Sequence, residues 1–187
     1  MSSIKRDKSD LFCLIQQDAK NTCEKDVSSI DILENKILRF KNIEDLFIFN
    51  LVDDLDQKKL NINFYNLFIK YISSNTNALK FLEADLLATF TRDPACKNYY
   101  DPVLFFKGYK ALQLHRLGHW LWNKKEYFSA LATQSLISEL YQVDIHPSCV
   151  IGKGIMIDHA TRVVIGERVL IGCLLYTSPS PRDTSSS

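Results

Sequence analysis

Between Val143 and Gly172 the chain reads VDIHPSCVIGKGIMIDHATRVVIGERVLIG, and β-branched aliphatics recur at a step of six: Ile145, Ile151, Ile157, Val163 and Val169. A helix repeats near 3.6 residues and a simple strand at two, so neither accounts for this spacing. A step of six fits a hexapeptide β-helix, in which three short strands make one triangular coil of about 18 residues. Each sixth aliphatic then points inward and stacks on the one above. Gly152, Gly154, Gly166 and Gly172 supply turns between the strands. Asp144, His146, Asp158 and His159 lie in the same stretch and are the first candidates for chemistry.

The preceding residues, 1 to 142, read as helical. Leu11, Leu14, Ile15 and Ala19 share a face over Asp10 to Cys23. Ser28 and Ser29 suit the N-cap of a helix carrying Ile30, Leu33, Ile37 and Phe40. Further helices are expected at Leu46 to Leu51, at Asn61 to Ile72, and from Asn77 through Phe90. Pro94 pushes Asp93 out of the α region and stops the last of these. Asp101-Pro102 then reads as the start of the longest helix, running to Lys124. Its apolar stripe includes two polar residues, Arg116 and His119. Gly108 and Gly118 lie inside it, each costing about 1 kcal/mol relative to alanine, so close packing is expected at both. A final helix spans about Glu126 to Leu140.

A net charge of +1, from 23 Lys+Arg and 22 Asp+Glu, gives no support for a nucleic-acid partner or a polybasic membrane surface. No apolar run is long enough to span a bilayer, and MSSIKRDKSD leads into no signal-peptide core, so a cytoplasmic location is expected. Five cysteines, Cys13, Cys23, Cys96, Cys149 and Cys173, show no CxxC spacing and suggest neither a disulfide framework nor a zinc site. Residues 173 to 187, CLLYTSPSPRDTSSS, break the hexad pattern. They resemble translated adaptor sequence and are expected to be a non-native tail. The hexads alone, residues 143 to 172, make under two coils.

Four motifs, RDP at 92–94, HRLGHWLW at 115–122, DIHP at 144–147 and DHAT at 158–161, together resemble serine O-acetyltransferase, a family of hexapeptide-repeat acyltransferases. The resemblance implies an α+β fold: an all-α N-terminal helical domain followed by the first coils of a left-handed parallel β-helix. It also implies a chemistry, the transfer of an acetyl group from acetyl-CoA to the hydroxyl of L-serine in cysteine biosynthesis. His159 matches the catalytic base and Asp144 its carboxylate partner, orienting the imidazole as in a hydrolase triad. Asp93 and Asp158, with His159, match the serine-binding set, where paired negative charge suits an ammonium. Acetyl-CoA is a co-substrate, no bound cofactor or metal is implied, and its binding residues are expected on later coils.

The resemblance further implies a homo-oligomer, trimer or hexamer, and a partnership with O-acetylserine sulfhydrylase through a tail not found in these residues. A polypeptide of these 187 residues is accordingly expected to be an inactive fragment. Each site residue also has an ordinary role open to it. Asp144 and Asp158 suit turns of the coil, Asp93 suits a helix stop, and His159 suits a surface. His146, before Pro147, reads as structural. His115 and His119, four apart, lack a third metal ligand and read as packing residues. The alternatives are another hexapeptide acyltransferase, acting on a sugar or another amine or hydroxyl, and a non-catalytic oligomerisation subunit.

Overall fold

The computed structural model describes residues 8–56, 62–173 and 176–177. Among them α-helices come first and short parallel strands follow. The helices are α1 (Lys8–Lys25), α2 (Ile30–Leu33), α3 (Ile43–Asp56), α4 (Phe64–Ser74), α5 (Ala78–Arg92), α6 (Asp101–Leu104), α7 (Lys107–Asn123) and α8 (Tyr127–Tyr141). The strands are β1 (Val143–Ile145), β2 (Val150–Ile151), β3 (Met156–Ile157), β4 (Val163–Ile165), β5 (Leu170–Ile171) and β6 (Tyr176–Thr177). None of these helices is long and apolar enough to cross a membrane.

The helices form where the apolar faces predict them, with two departures. Ser29 stands at the N-cap of α2 as expected but makes no side-chain cap bond. Asp26 caps the preceding 3₁₀ turn, its carboxylate accepting from Ser28 N–H, and the segment from Val27 to Leu38 passes from that turn through α2 into a π turn. The helix expected from Asp101 onward is two helices. Phe106 adopts extended backbone (φ −91°, ψ 102°), ending α6 and restarting the chain as α7. Local propensity gives no reason for that break; tertiary packing does, because it brings Gly108 of α7 against the backbone of β3. α7 is the central element. Leu112, Leu114, Leu117 and Leu121 are buried within it, and α8 packs along it.

The six strands pair two by two in parallel: β1 with β4, β2 with β5, and β3 with β6. Each pair is one face of a triangular coil stacked on the next. Ile145 lies beside Ile165 and Ile151 beside Ile171, so aliphatics do stack as the hexads predict. The stacking distance differs from the expected 18. Paired residues are 20 apart, as in Val143 and Val163, because the corner 158–162 holds two extra residues. Beyond this corner Ile165 and Ile171 become the stacked positions, and Val169 is exposed. Of the tail, Cys173 is an exposed turn residue and the backbone of Tyr176–Thr177 pairs with β3. Its other residues, like 1–7 and the start of the segment expected from Asn61, lie outside the described residues.

Candidate active site

The termination of α5 sets the first wall of the site. Asp93 is the C-cap, with extended backbone before Pro94, and its Oδ1 accepts from Ala95 N–H at 2.8 Å. This helix-stop role leaves the carboxylate at the mouth of a cavity of about 240 Å³. Asp93, Lys107, Asp158 and His159 line that cavity, together with Thr89, Phe106, Gly108 and Met156. Three of the four predicted residues, Asp93, Asp158 and His159, are thus brought together from opposite ends of the fold. Two carboxylates against the one lysine leave the charged lining net negative, which favours a cationic guest, and the imidazole beside them can accept a proton.

His159 Nε2 stands 3.7 Å from Asp158 Oδ1, beyond hydrogen-bond range, with the imidazole side chain 81% exposed and Asp158 16%. The corner that carries His159 is built from residues in the left-handed region without glycine: His159 at φ 49°, Ala160 at 51° and Arg162 at 60°. Such backbone persists only where its surroundings hold it, and it clusters at functional sites.

Asp144 is placed differently. It sits mid-strand in β1, opposite Val164, and its Oδ1 accepts from Gln134 Nε2 of α8 at 2.6 Å. It lines a separate cavity with Leu131, Ser135, Ser138 and Glu139, so within one chain it is not gathered with His159. His146 caps its own turn, with Nδ1 against Ser148 N–H and Oγ. His119 Nδ1 faces Pro147 O at 2.8 Å, and His115 Nε2 donates to Cys149 O at 3.2 Å. Both rings therefore bind loop carbonyls of the first coil. Burial lowers the pKa of His115 to about 3. Cys96, close to Asp93, is no nucleophile: burial and nearby carboxylates push its thiol up to about 12.

Below the site lies a polar network of two helices and the first coil. Arg116 on α7 bonds Asp85 on α5 through Nε at 2.9 Å and Nη2 at 2.7 Å, and both side chains are buried. The same guanidinium donates to the carbonyls of Ile151 and Gly152, while Asp85 Oδ1 accepts from Ile155 N–H at 2.9 Å. Arg92 adds a bond to Gly154 O. Burial pushes the Asp85 carboxyl up, against the pull of Arg116. The pair was not among the sequence candidates. An arginine in the apolar stripe of a helix was its one signal, because a charge there needs a buried partner. Lys107, in the cavity lining, carries no such signal, and neither does Thr161, which lies outside that lining.

A family model described as "Serine acetyltransferase, N-terminal" matches residues 11–114. The chain is 37% identical over 163 residues to a serine acetyltransferase of Buchnera aphidicola subsp. Schizaphis graminum, covering 87% of this chain and 62% of that one. A solved structure of soybean serine acetyltransferase complexed with serine is 35% identical with a TM-score of 0.85, covering 92% of this chain and 72% of that one. A serine acetyltransferase in complex with CoA is 32% identical with a TM-score of 0.85, covering 91% and 73%. The chain spans less than two thirds of the length of the curated relatives it matches. These likenesses fix the fold class as α+β, an all-α N-terminal part followed by coils of a left-handed parallel β-helix.

Proposed function

The chain belongs to the serine acetyltransferase family, and from that premise we propose that its cavity receives the acceptor, L-serine, for acetyl transfer from acetyl-CoA. The observation that carries this reading is the convergence of Asp93, Asp158 and His159 on one small cavity. The two carboxylates take the substrate ammonium, and His159 faces the hydroxyl. As that oxygen attacks the thioester carbonyl, His159 accepts its proton. Collapse of the tetrahedral intermediate breaks the C–S bond, and the imidazolium returns the proton to the leaving CoA sulfur. The products are O-acetylserine and CoA.

The related structures with serine and with CoA support both substrates. The resemblance gives Asp144 as partner of His159. To act so, Asp144 either leaves Gln134 or serves the imidazole of a second copy in a homo-oligomer, trimer or hexamer. On the same reading residues 1–142 are the helical domain, 143–172 begin the β-helix, and 173–187 are a non-native tail. The protein is cytoplasmic, works beside O-acetylserine sulfhydrylase, and holds acetyl-CoA through later coils. On this reading the cavity accounts for serine binding, and turnover requires the acetyl-CoA site as well.

Calorimetric titration with L-serine tests the acceptor site. Asp93→Asn and Asp158→Asn each weaken binding by about tenfold to a hundredfold, the worth of a hydrogen bond to a charged group. Asp144→Asn, which lies outside the cavity, leaves it unchanged. Equal loss in Asp144→Asn and none in Asp158→Asn would reverse the assignment.

A further inference from the structure

We propose that Lys107, with Gly108 beside it, is a positioning residue for His159, acting through the corner 158–162. The inference rests on the reading of His159 as the base that meets serine.

The imidazole has little to hold it. Its side chain is largely exposed, and among the described residues its charged neighbour is Asp158, too far for a hydrogen bond. Its position is therefore that of its backbone. That backbone is costly, because an L-residue in the left-handed region brings its Cβ against the carbonyl oxygen. His159, Ala160 and Arg162 all lie in this region and none is glycine. The corner must be held from outside.

The first turn of α7 is what meets it. Lys107 Nζ donates to Thr161 Oγ1 at 2.6 Å, and that hydroxyl in turn lies 3.3 Å from His159 O. A methyl group on Gly108 would overlap the Ile157 carbonyl and come within 3.2 Å of Ala160 Cβ, so only glycine lets α7 lie this close. Ala160 is fully buried. Lys107 is the first residue of α7 because the helix restarts after Phe106, so the break in the helix is what aims its side chain at the corner. The chain is clamped on both sides of His159, at Ile157 by Gly108 and at Thr161 by Lys107.

The test compares wild type, Lys107→Met, Lys107→Arg and Thr161→Val by NMR of the corner amides, by urea denaturation, and by L-serine titration. In Lys107→Met the Ala160 and Thr161 signals broaden or split while the denaturation midpoint stays within error. Serine binding weakens about threefold to tenfold, the worth of one hydrogen bond. Lys107→Arg keeps the wild-type signals and affinity, and Thr161→Val reproduces Lys107→Met. Wild-type signals and affinity in Lys107→Met overturn the proposal. So does a loss in Lys107→Met that Thr161→Val does not share, since that assigns the lysine a direct charge effect. Absence of serine binding by wild type defeats the acceptor reading instead, and the corner signals alone then decide the role of Lys107.

Discussion

At the scale of single residues, the corner 158–162 combines the proposed base, His159, with backbone strain. Arg162 tests the strain without touching the chemistry, because it is exposed at φ 60° and outside the cavity. Glycine adopts that conformation freely. Arg162→Gly is expected to stabilise the fold by about 0.5–1 kcal/mol, read as a higher urea midpoint, after the unfolded chain's extra freedom is subtracted. A lower midpoint would mean that the corner is unstrained. The site was partly legible at this scale. Asp93, Asp158 and His159 stand in recognisable motifs, and the fold gathers them. Thr161 closes the DHAT motif but has no role assigned by it, Lys107 lies outside the four motifs, and their meeting depends on where α7 restarts. Asp144 was legible as a motif residue, but its capture by Gln134 depends on how α8 lies over β1.

At the scale of elements, the two glycines of α7 part company. Both are helix-interior glycines, and the sequence treats them alike. Gly108 abuts Ile157, whereas a methyl on Gly118 meets Thr133 and Ala130 at ordinary contact distances of 3.7 and 3.8 Å. Gly118→Ala should therefore raise the melting temperature through helix propensity worth about 0.5–1 kcal/mol. Gly108→Ala should lower it by forcing α7 off β3, and the reverse ranking would contradict this packing. The Asp85–Arg116 pair joins α5 and α7 to the first coil. Arg116→Met leaves a buried carboxylate without its cation and is expected to cost about 3–5 kcal/mol in urea denaturation. Arg116→Lys recovers little, because an ammonium cannot bond Asp85 and two carbonyls in the fork geometry of a guanidinium. The hexad spacing predicted the coil from inward stacking. It missed the two extra residues of the corner, since Val163 and Val169 keep the step of six while the stacked positions move to Ile165 and Ile171.

At the scale of the whole molecule, the helices and the coil are one interlocked body, and His115 makes that body sensitive to acid. Burial, with His119 and Arg116 nearby, lowers its pKa from 6.5 to about 3. The folded state keeps the ring neutral while the unfolded chain takes up a proton below pH 6.5, so this contribution to stability is lost as pH falls from 6.5 toward 3. By pH 5 the loss amounts to about 2 kcal/mol. Urea midpoints of wild type should fall over this range more steeply than those of His115→Gln, and parallel curves would contradict the assignment. The central claim is that the cavity under His159 is an amino-acid acceptor site in a chain of this family. NMR titration of the 187-residue protein with L-serine, and separately with glucosamine, tests it most directly. L-serine is expected to shift the amide signals of Asp93, Asp158 and His159, and glucosamine to leave them in place. Shifts at these residues with glucosamine and none with L-serine would contradict it.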